Sequence, residues 1–194
     1  YVGVEVGIPN FANLFMTSPE INIDPTIAGS VVGTYWFLMM IGRLCGASIG
    51  AKVSSRAMLT VVSTVGIVLV LGAIFCADNI LVNMPVFKSD ISFGFAQVPI
   101  NVMLLILCGL CTSVMWGGIF NLAVAGLGEF TSLASGIFMV MVCGGGILPP
   151  LQGYIADAAG YTASYWVVFG GLLYILYYAL AGSRPAGCDE EAAR

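Results

Sequence analysis

The sequence predicts an all-α membrane protein of six transmembrane helices, on three observations. Apolar residues make up 59% of the 194-residue chain and charged residues 8%, against roughly 45–50% and 25% in soluble domains. With a mean hydropathy of +1.01, the chain has too few charges to coat a soluble globule of its size. Those few charges divide the chain into six apolar segments, most of them near the roughly 20 residues that cross a bilayer.

The first segment, 1–16, begins without an initiator methionine or a preceding basic stretch, so no signal peptide is expected. It reads as a span clipped at its start, in a chain that begins inside a larger protein. The second span is expected at 27–49, and the third at 58–77. The joint 78–98 mixes Asn79, Asn83, Lys88 and Asp90 with scattered Phe and Val, and is expected to be a plain external loop. The fourth span, 99–122, opens on Pro99, a residue suited to a first helical turn. The fifth is expected at 133–155 and the sixth at 165–180. Residues 1–182 form the membrane domain, and 183–194 a small, polar cytoplasmic tail, expected to be disordered.

The fifth span is built to bend. No charge falls between Glu129 and Asp157, yet the middle reads Gly144-Gly145-Gly146-Ile147-Leu148-Pro149-Pro150. Proline lacks an amide hydrogen and crowds the carbonyl four residues back. Those carbonyls belong to Gly145 and Gly146. A broken membrane helix needs protein or a wet cavity to satisfy its freed groups, and such helices are typical of secondary transporters.

Lysine and arginine set the orientation. With the first span running outward, Lys52, Arg56 and the tail arginines Arg184 and Arg194 all face the cytoplasm, and Arg43 belongs with them near the inner end of the second span. Both chain ends are then cytoplasmic. Several function classes fall away. A net charge of −4 with no basic patch excludes nucleic acid as a partner. With no histidine, Ser-His, Cys-His and His-metal chemistry is unavailable. Cys108-Gly-Leu-Cys111 has no second pair to complete a zinc site, so the six cysteines are read as packing residues. No metal or cofactor is expected.

Two groups of residues can carry binding. Glu5 lies within a span, where a carboxylate costs roughly 2.5–3.5 kcal/mol at a central position. Pro9, four residues on, frees the carbonyl of Glu5 itself, and Asn10 adjoins the break. Glu5 is either a substrate acceptor or cation partner in a polar cleft, or a carboxylate near the interface. In the fourth span Ser113, Gly117 and Asn121 recur every four residues beside Trp116. Trp116 has a flat face suited to a sugar ring, or serves as a belt or packing residue. Asn121 and Gln152, just beyond the prolines, offer hydrogen bonds to hydroxyls or to neighbouring helices. Tyr35 and Trp36 are weaker candidates, suited to belt or packing roles. Gly46 and Gly50 permit a close helix crossing.

These stretches carry a resemblance. Tyr1-Val-Gly-Val-Glu5-Val, Ile41-Gly42-Arg43 with Lys52 and Arg56, Ser113-Val-Met-Trp116-Gly-Gly-Ile-Phe120-Asn121, and the run from Ser135 through Gly144-Gly145-Gly146 to Ala156-Asp157 resemble the C-terminal six-helix half of the fucose–proton symporter family, within the major facilitator superfamily. The resemblance covers nearly the whole chain. It implies alternating-access transport of fucose, glucose, galactose or a related sugar, coupled to a proton or, in some relatives, to sodium. It further implies a bacterial inner membrane and an N-terminal six-helix half that this chain lacks. A relative has a tyrosine facing the sugar where Trp116 stands. The usual Pro-Thr after that aromatic is Gly117-Gly118 here. The family's principal coupling carboxylates lie in the other half. The expected function is sugar symport by rocking of two halves, not enzymatic catalysis. Trp116 would stack on the ring, Asn121, Gln152 and Asn10 would bond hydroxyls, and Glu5 would act as acceptor or cation partner. Pro9, Gly144, Gly145, Gly146, Pro149 and Pro150 would be bending points. An exporter of small amphiphiles in the same superfamily, and a non-transporting membrane scaffold, are the alternatives.

Overall fold

The computed structural model describes residues 1–50, 52–88 and 92–183. Its elements in chain order are α1 (Val2–Thr17), α2 (Pro25–Gly50), α3 (Ser55–Phe75), β1 (Leu81–Phe87), β2 (Phe93–Pro99), α4 (Ile100–Val124), α5 (Thr131–Val140), α6 (Leu148–Ala159) and α7 (Tyr161–Tyr177). A wider final turn, Tyr178–Gly182, extends α7. Among the described residues five stretches are long and apolar enough to cross a membrane: Pro25–Gly50, Ser55–Phe75, Ile100–Val124, Gly128–Ala159 and Tyr161–Gly182. α1 has 16 residues, or about 24 Å at 1.5 Å each, short of a hydrocarbon core of about 30 Å.

Local chemistry places the helix ends. The Asp24 carboxylate accepts the Thr26 amide at 2.8 Å, and Pro25 supplies a first-turn residue that needs no amide. The same bond holds the Asp24 carboxyl below the usual carboxylate range. The Ser54 hydroxyl accepts the Ala57 amide at 3.3 Å and starts α3. Gly160, at φ 92°, makes the sharp corner between α6 and α7 that a side chain would strain. Pro99 ends β2 and stands at the N-cap of α4, one residue before the first helical turn.

α4 lies between α2 and α3, and glycines set how near it comes. A Cβ on Gly42 would overlap the Ser113 hydroxyl oxygen, and one on Gly46 would overlap a Val114 methyl. On α4 a Gly109 Cβ would meet the Tyr35 carbonyl oxygen at 2.7 Å. The close crossing therefore uses Gly42 and Gly46, one turn earlier than the expected Gly46 and Gly50; among the described residues a Cβ on Gly50 would meet Met58, at 4.0 Å. Small residues matter here because helices in lipid associate through close packing.

The joint after α3 corrects the expectation of a plain loop. β1 and β2 form an antiparallel hairpin, in register from Leu81 opposite Pro99 to Phe87 opposite Phe93. Met84, Val86, Ala96 and Val98 alternate inward and are buried, whereas Asn83, Pro85, Phe95 and Gln97 face out. The buried face packs on α2 and α4. The Phe87 amide donates to the Thr34 hydroxyl of α2 at 2.9 Å, and the Phe37 and Phe87 rings stack at 4.8 Å. The Asn101 amide side chain donates to Asp78 at 2.6 Å. Partial burial, and the charge of Glu20, hold the Asp78 carboxyl above its usual range. Asp90 lies outside the described residues.

The fifth segment is broken where its composition predicts. α5 ends at Val140, a tight 3-10 stretch covers Met141–Gly146, and α6 begins at Leu148. Pro149 and Pro150 stand in the first turn of α6, where a missing amide hydrogen costs nothing. They open a second half-helix rather than distort a continuing one. The tail residues Arg184 and Arg194, and all but the first residue of the expected 183–194 tail, lie outside the described residues.

Candidate functional site

The site is built outward from Pro9. Because Pro9 has no amide hydrogen, the Glu5 carbonyl lacks its helical donor. The Tyr35 hydroxyl of α2 takes that place, donating to the Glu5 carbonyl at 3.1 Å. The same hydroxyl lies 3.0 Å from the Thr112 hydroxyl of α4, so one buried tyrosine ties three helices together. Tyr1 adds a second link, donating to the Thr112 carbonyl at 2.9 Å. Farther along α1, Tyr165 of α7 donates to the Ile8 carbonyl at 3.2 Å.

Tyr35→Phe therefore strands a carbonyl in the interior, which costs about 1–3 kcal/mol. The purified variant is expected to melt below the parent. In a Pro9→Ala background the restored amide at position 9 supplies the missing donor, so the same tyrosine change is expected to cost less. Equal losses in both backgrounds would show that Tyr35 does not serve the Glu5 carbonyl.

On the same residue whose carbonyl Tyr35 serves, the Glu5 side chain meets Arg43. An Arg43 guanidinium nitrogen donates to a Glu5 carboxylate oxygen at 3.1 Å, with the arginine side chain 56% exposed and the glutamate 14%. Arg43 stands seven residues before the end of α2, or about 10 Å inside it at 1.5 Å per residue. It lines a cleft of about 460 Å³ with Ser113, Trp116, Gly117 and Asn121 of α4, Ala47 and Gly50 of α2, and Ser55 of α3. The every-fourth-residue stripe Ser113, Gly117, Asn121 is thus one wall of this cleft. The Asn121 amide donates to the Ser55 hydroxyl at 3.5 Å. The Ser113 hydroxyl turns back to the Leu110 carbonyl.

Trp116 also borders a second cavity of about 460 Å³. Its walls include Tyr1, Gly3 of α1, Phe138 of α5, Gly144 in the break, Leu148 of α6, and Tyr174 and Tyr178. The indole lies edge-on to Phe138 at 5.1 Å between ring centroids, and at 5.9 Å from the Tyr1 ring. Trp116 therefore borders both the cleft that holds Arg43 and Asn121 and a largely apolar cavity bounded by the broken segment. Gly145 lets the break approach α1, since a Cβ there would lie 2.8 Å from a Val2 methyl.

Two expected site residues lie elsewhere. Gln152 is 1% exposed; its amide donates to the Ser164 hydroxyl at 3.4 Å, and its oxygen occupies the space left by Gly7. It packs among α1, α6 and α7 and borders neither cavity, because the break turns it toward those helices. Asn10 is exposed on α1 and borders neither cavity. Glu5 reaches the cleft only through Arg43. Lys52 is exposed in its joint, and Arg56 donates to the Ser183 hydroxyl at 3.3 Å, linking the start of α3 to the end of the sixth segment. Cys108 and Cys111 are buried and free.

Sequence reasoning placed Arg43 only by its charge and ranked Tyr35 low. A signal existed for each. A guanidinium well inside a span demands a partner, and Glu5 is the carboxylate available within the spans. A proline-freed carbonyl demands a donor, and Tyr35 carries one.

Known proteins resemble this chain over nearly its full length. No family model matches it. A glucose/galactose transporter of Brucella abortus biovar 1 (strain 9-941) is 29% identical over 185 residues, which cover 95% of this chain and 40% of that protein. An L-fucose-proton symporter of Escherichia coli (strain K12) is 35% identical over 67 residues, 34% of this chain and 15% of that protein. Among solved structures, FucP, a major facilitator superfamily transporter in the outward conformation, superposes with a TM-score of 0.76 at 19% identity, over 96% of this chain and 40% of its own. The chain thus spans about two fifths of the glucose/galactose transporter it matches.

Proposed function

We propose that this chain, which has the fold of one half of a major facilitator superfamily transporter and is homologous to a glucose/galactose transporter, forms the C-terminal half of a cation-coupled sugar symporter. The observation that carries the reading is the position of Trp116. Trp116 borders two cavities, one edged by the Ser55 hydroxyl and the Asn121 amide, the other by the broken segment. A flat aromatic face beside a few placed polar groups suits a hexose or deoxyhexose, whose ring has apolar faces and a polar edge.

In this reading Trp116 stacks on the sugar and Asn121 bonds a hydroxyl. Pro9 and the stretch from Gly144 to Pro150 are the points where α1 and the fifth segment bend as the two halves rock. The fifth segment has no buried residue over its apolar window, and the partner half covers that face. The coupling cation is a proton or sodium. Lys52 and Arg56 mark the cytoplasmic side of a bacterial inner membrane, and the hairpin the outer side.

The test is counterflow in vesicles holding the intact protein, preloaded with unlabelled sugar and offered radiolabelled glucose, galactose and fucose. At least one is expected to accumulate transiently. If none exchanges, and a small amphiphile does, the protein is an exporter and the sugar reading is lost.

A further inference from the structure

We propose that Arg43 is a substrate-contacting residue that helps set specificity, and that Glu5 is the positioning residue that makes the cleft choose uncharged sugars over sugar acids. This rests on the sugar reading above and goes a step past it, to the charge of the substrate.

The geometry behind it is an incomplete ion pair. A guanidinium carries five N–H donors in a planar fork. That of Arg43 donates to one Glu5 oxygen at 3.1 Å, and the Tyr1 side chain lies against both members of the pair, which leaves part of the fork unused. The arginine side chain is more than half exposed, and it lines the cleft that holds Trp116 and Asn121. Arg43 also borders a separate hollow with Trp36, Met40 and Leu44; on the cleft side, its remaining donors are open to whatever lies against Trp116. Vicinal sugar hydroxyls suit such a fork, because each can accept from it.

Glu5 does not border the cleft and is mostly covered, so its effect on a substrate passes through Arg43. Paired, the two groups sum to zero charge. Unpaired, the guanidinium would be a bidentate receptor for a carboxylate, its strongest natural partner. The glutamate thus does two things: it fixes the fork on the cleft side of α2, and it cancels the charge that would recruit an anionic sugar.

The experiment is counterflow of radiolabelled galactose in vesicles with the intact protein, competed by unlabelled galactose or galacturonate. The parent is expected to favour galactose strongly. Glu5→Gln is expected to shift the ratio of the two competing concentrations toward galacturonate by about tenfold or more. The double variant with Arg43→Gln, which removes both charges, is expected to return that ratio toward the parent's. A purely structural pair would lower the amount of active protein without moving the ratio. An unchanged ratio in Glu5→Gln therefore overturns the proposal. Should Glu5→Gln fail to reach the membrane, Arg43→Lys decides: it keeps the charge and loses the fork. It is expected to raise the galactose concentration needed for competition by about tenfold, and no change there overturns the assignment equally. A parent protein that exchanges no hexose at all sinks the sugar reading and this one with it. Hexose exchange with an unmoved ratio sinks this one alone.

Discussion

Trp116→Ala, in the intact protein, is expected to weaken sugar uptake by about tenfold or more while the protein still reaches the membrane. The stacking face is lost, and a ring pairing of this kind contributes about 0.5–1.5 kcal/mol beyond its buried area. A side chain that lines both cavities is lost with it, so a bound sugar would be held less firmly against Asn121 and Arg43. Trp116→Phe keeps a flat face and its contact with Phe138, and is expected to retain more uptake than alanine does. The measurement is initial-rate uptake across sugar concentrations, normalised to protein in the membrane. Full uptake by the alanine variant at normal abundance would remove Trp116 from the substrate path.

Gly109→Ala is expected to be the most damaging small change in the bundle. Its Cβ would lie 2.7 Å from the Tyr35 carbonyl oxygen and 3.1 Å from the Tyr35 ring. The nearest obstacle is backbone, which cannot rotate aside, so α2 and α4 must separate. Overpacking of this kind costs about 1–3 kcal/mol. The same displacement pulls the Tyr35 hydroxyl from the Glu5 carbonyl and from Thr112, adding the loss of buried hydrogen bonds. The melting temperature in detergent is expected to fall clearly below that of Gly29→Ala. That control sits on α2, where an added Cβ meets nothing within 4 Å. Equal melting of the two variants would show that α2 and α4 do not cross as closely as described.

What could be read along the chain was what depends on neighbours in the chain. Span composition, the glycine–proline break and the stripe of Ser113, Gly117 and Asn121 are local patterns, and each has its counterpart in the fold. The hairpin was hidden because Pro85 argues against a strand and because the outward positions Leu81, Phe93 and Phe95 are apolar, which blurs the alternation. Its stability comes from Thr34 and Phe37, some fifty residues away on α2. The glycine crossing was read one turn late because a helix has several small faces, and only its neighbour decides which one is used. Gln152 was placed in the cavity because a break changes the direction of everything after it, by an angle no spacing encodes.

The amino-acid sequence alone determined that this protein lives in a bilayer, where it breaks, and which residues are polar enough to need partners there. Only the tertiary structure decided who the partners are. Glu5 and Arg43 are 38 positions apart, and Tyr35 and Thr112 are 77 apart. In hydrocarbon a polar group must find a partner, so the chain announces the need. The crossing of α2, α4 and the short α1 selects which group meets it, and thereby makes a charged residue placed by topology one wall of a cleft.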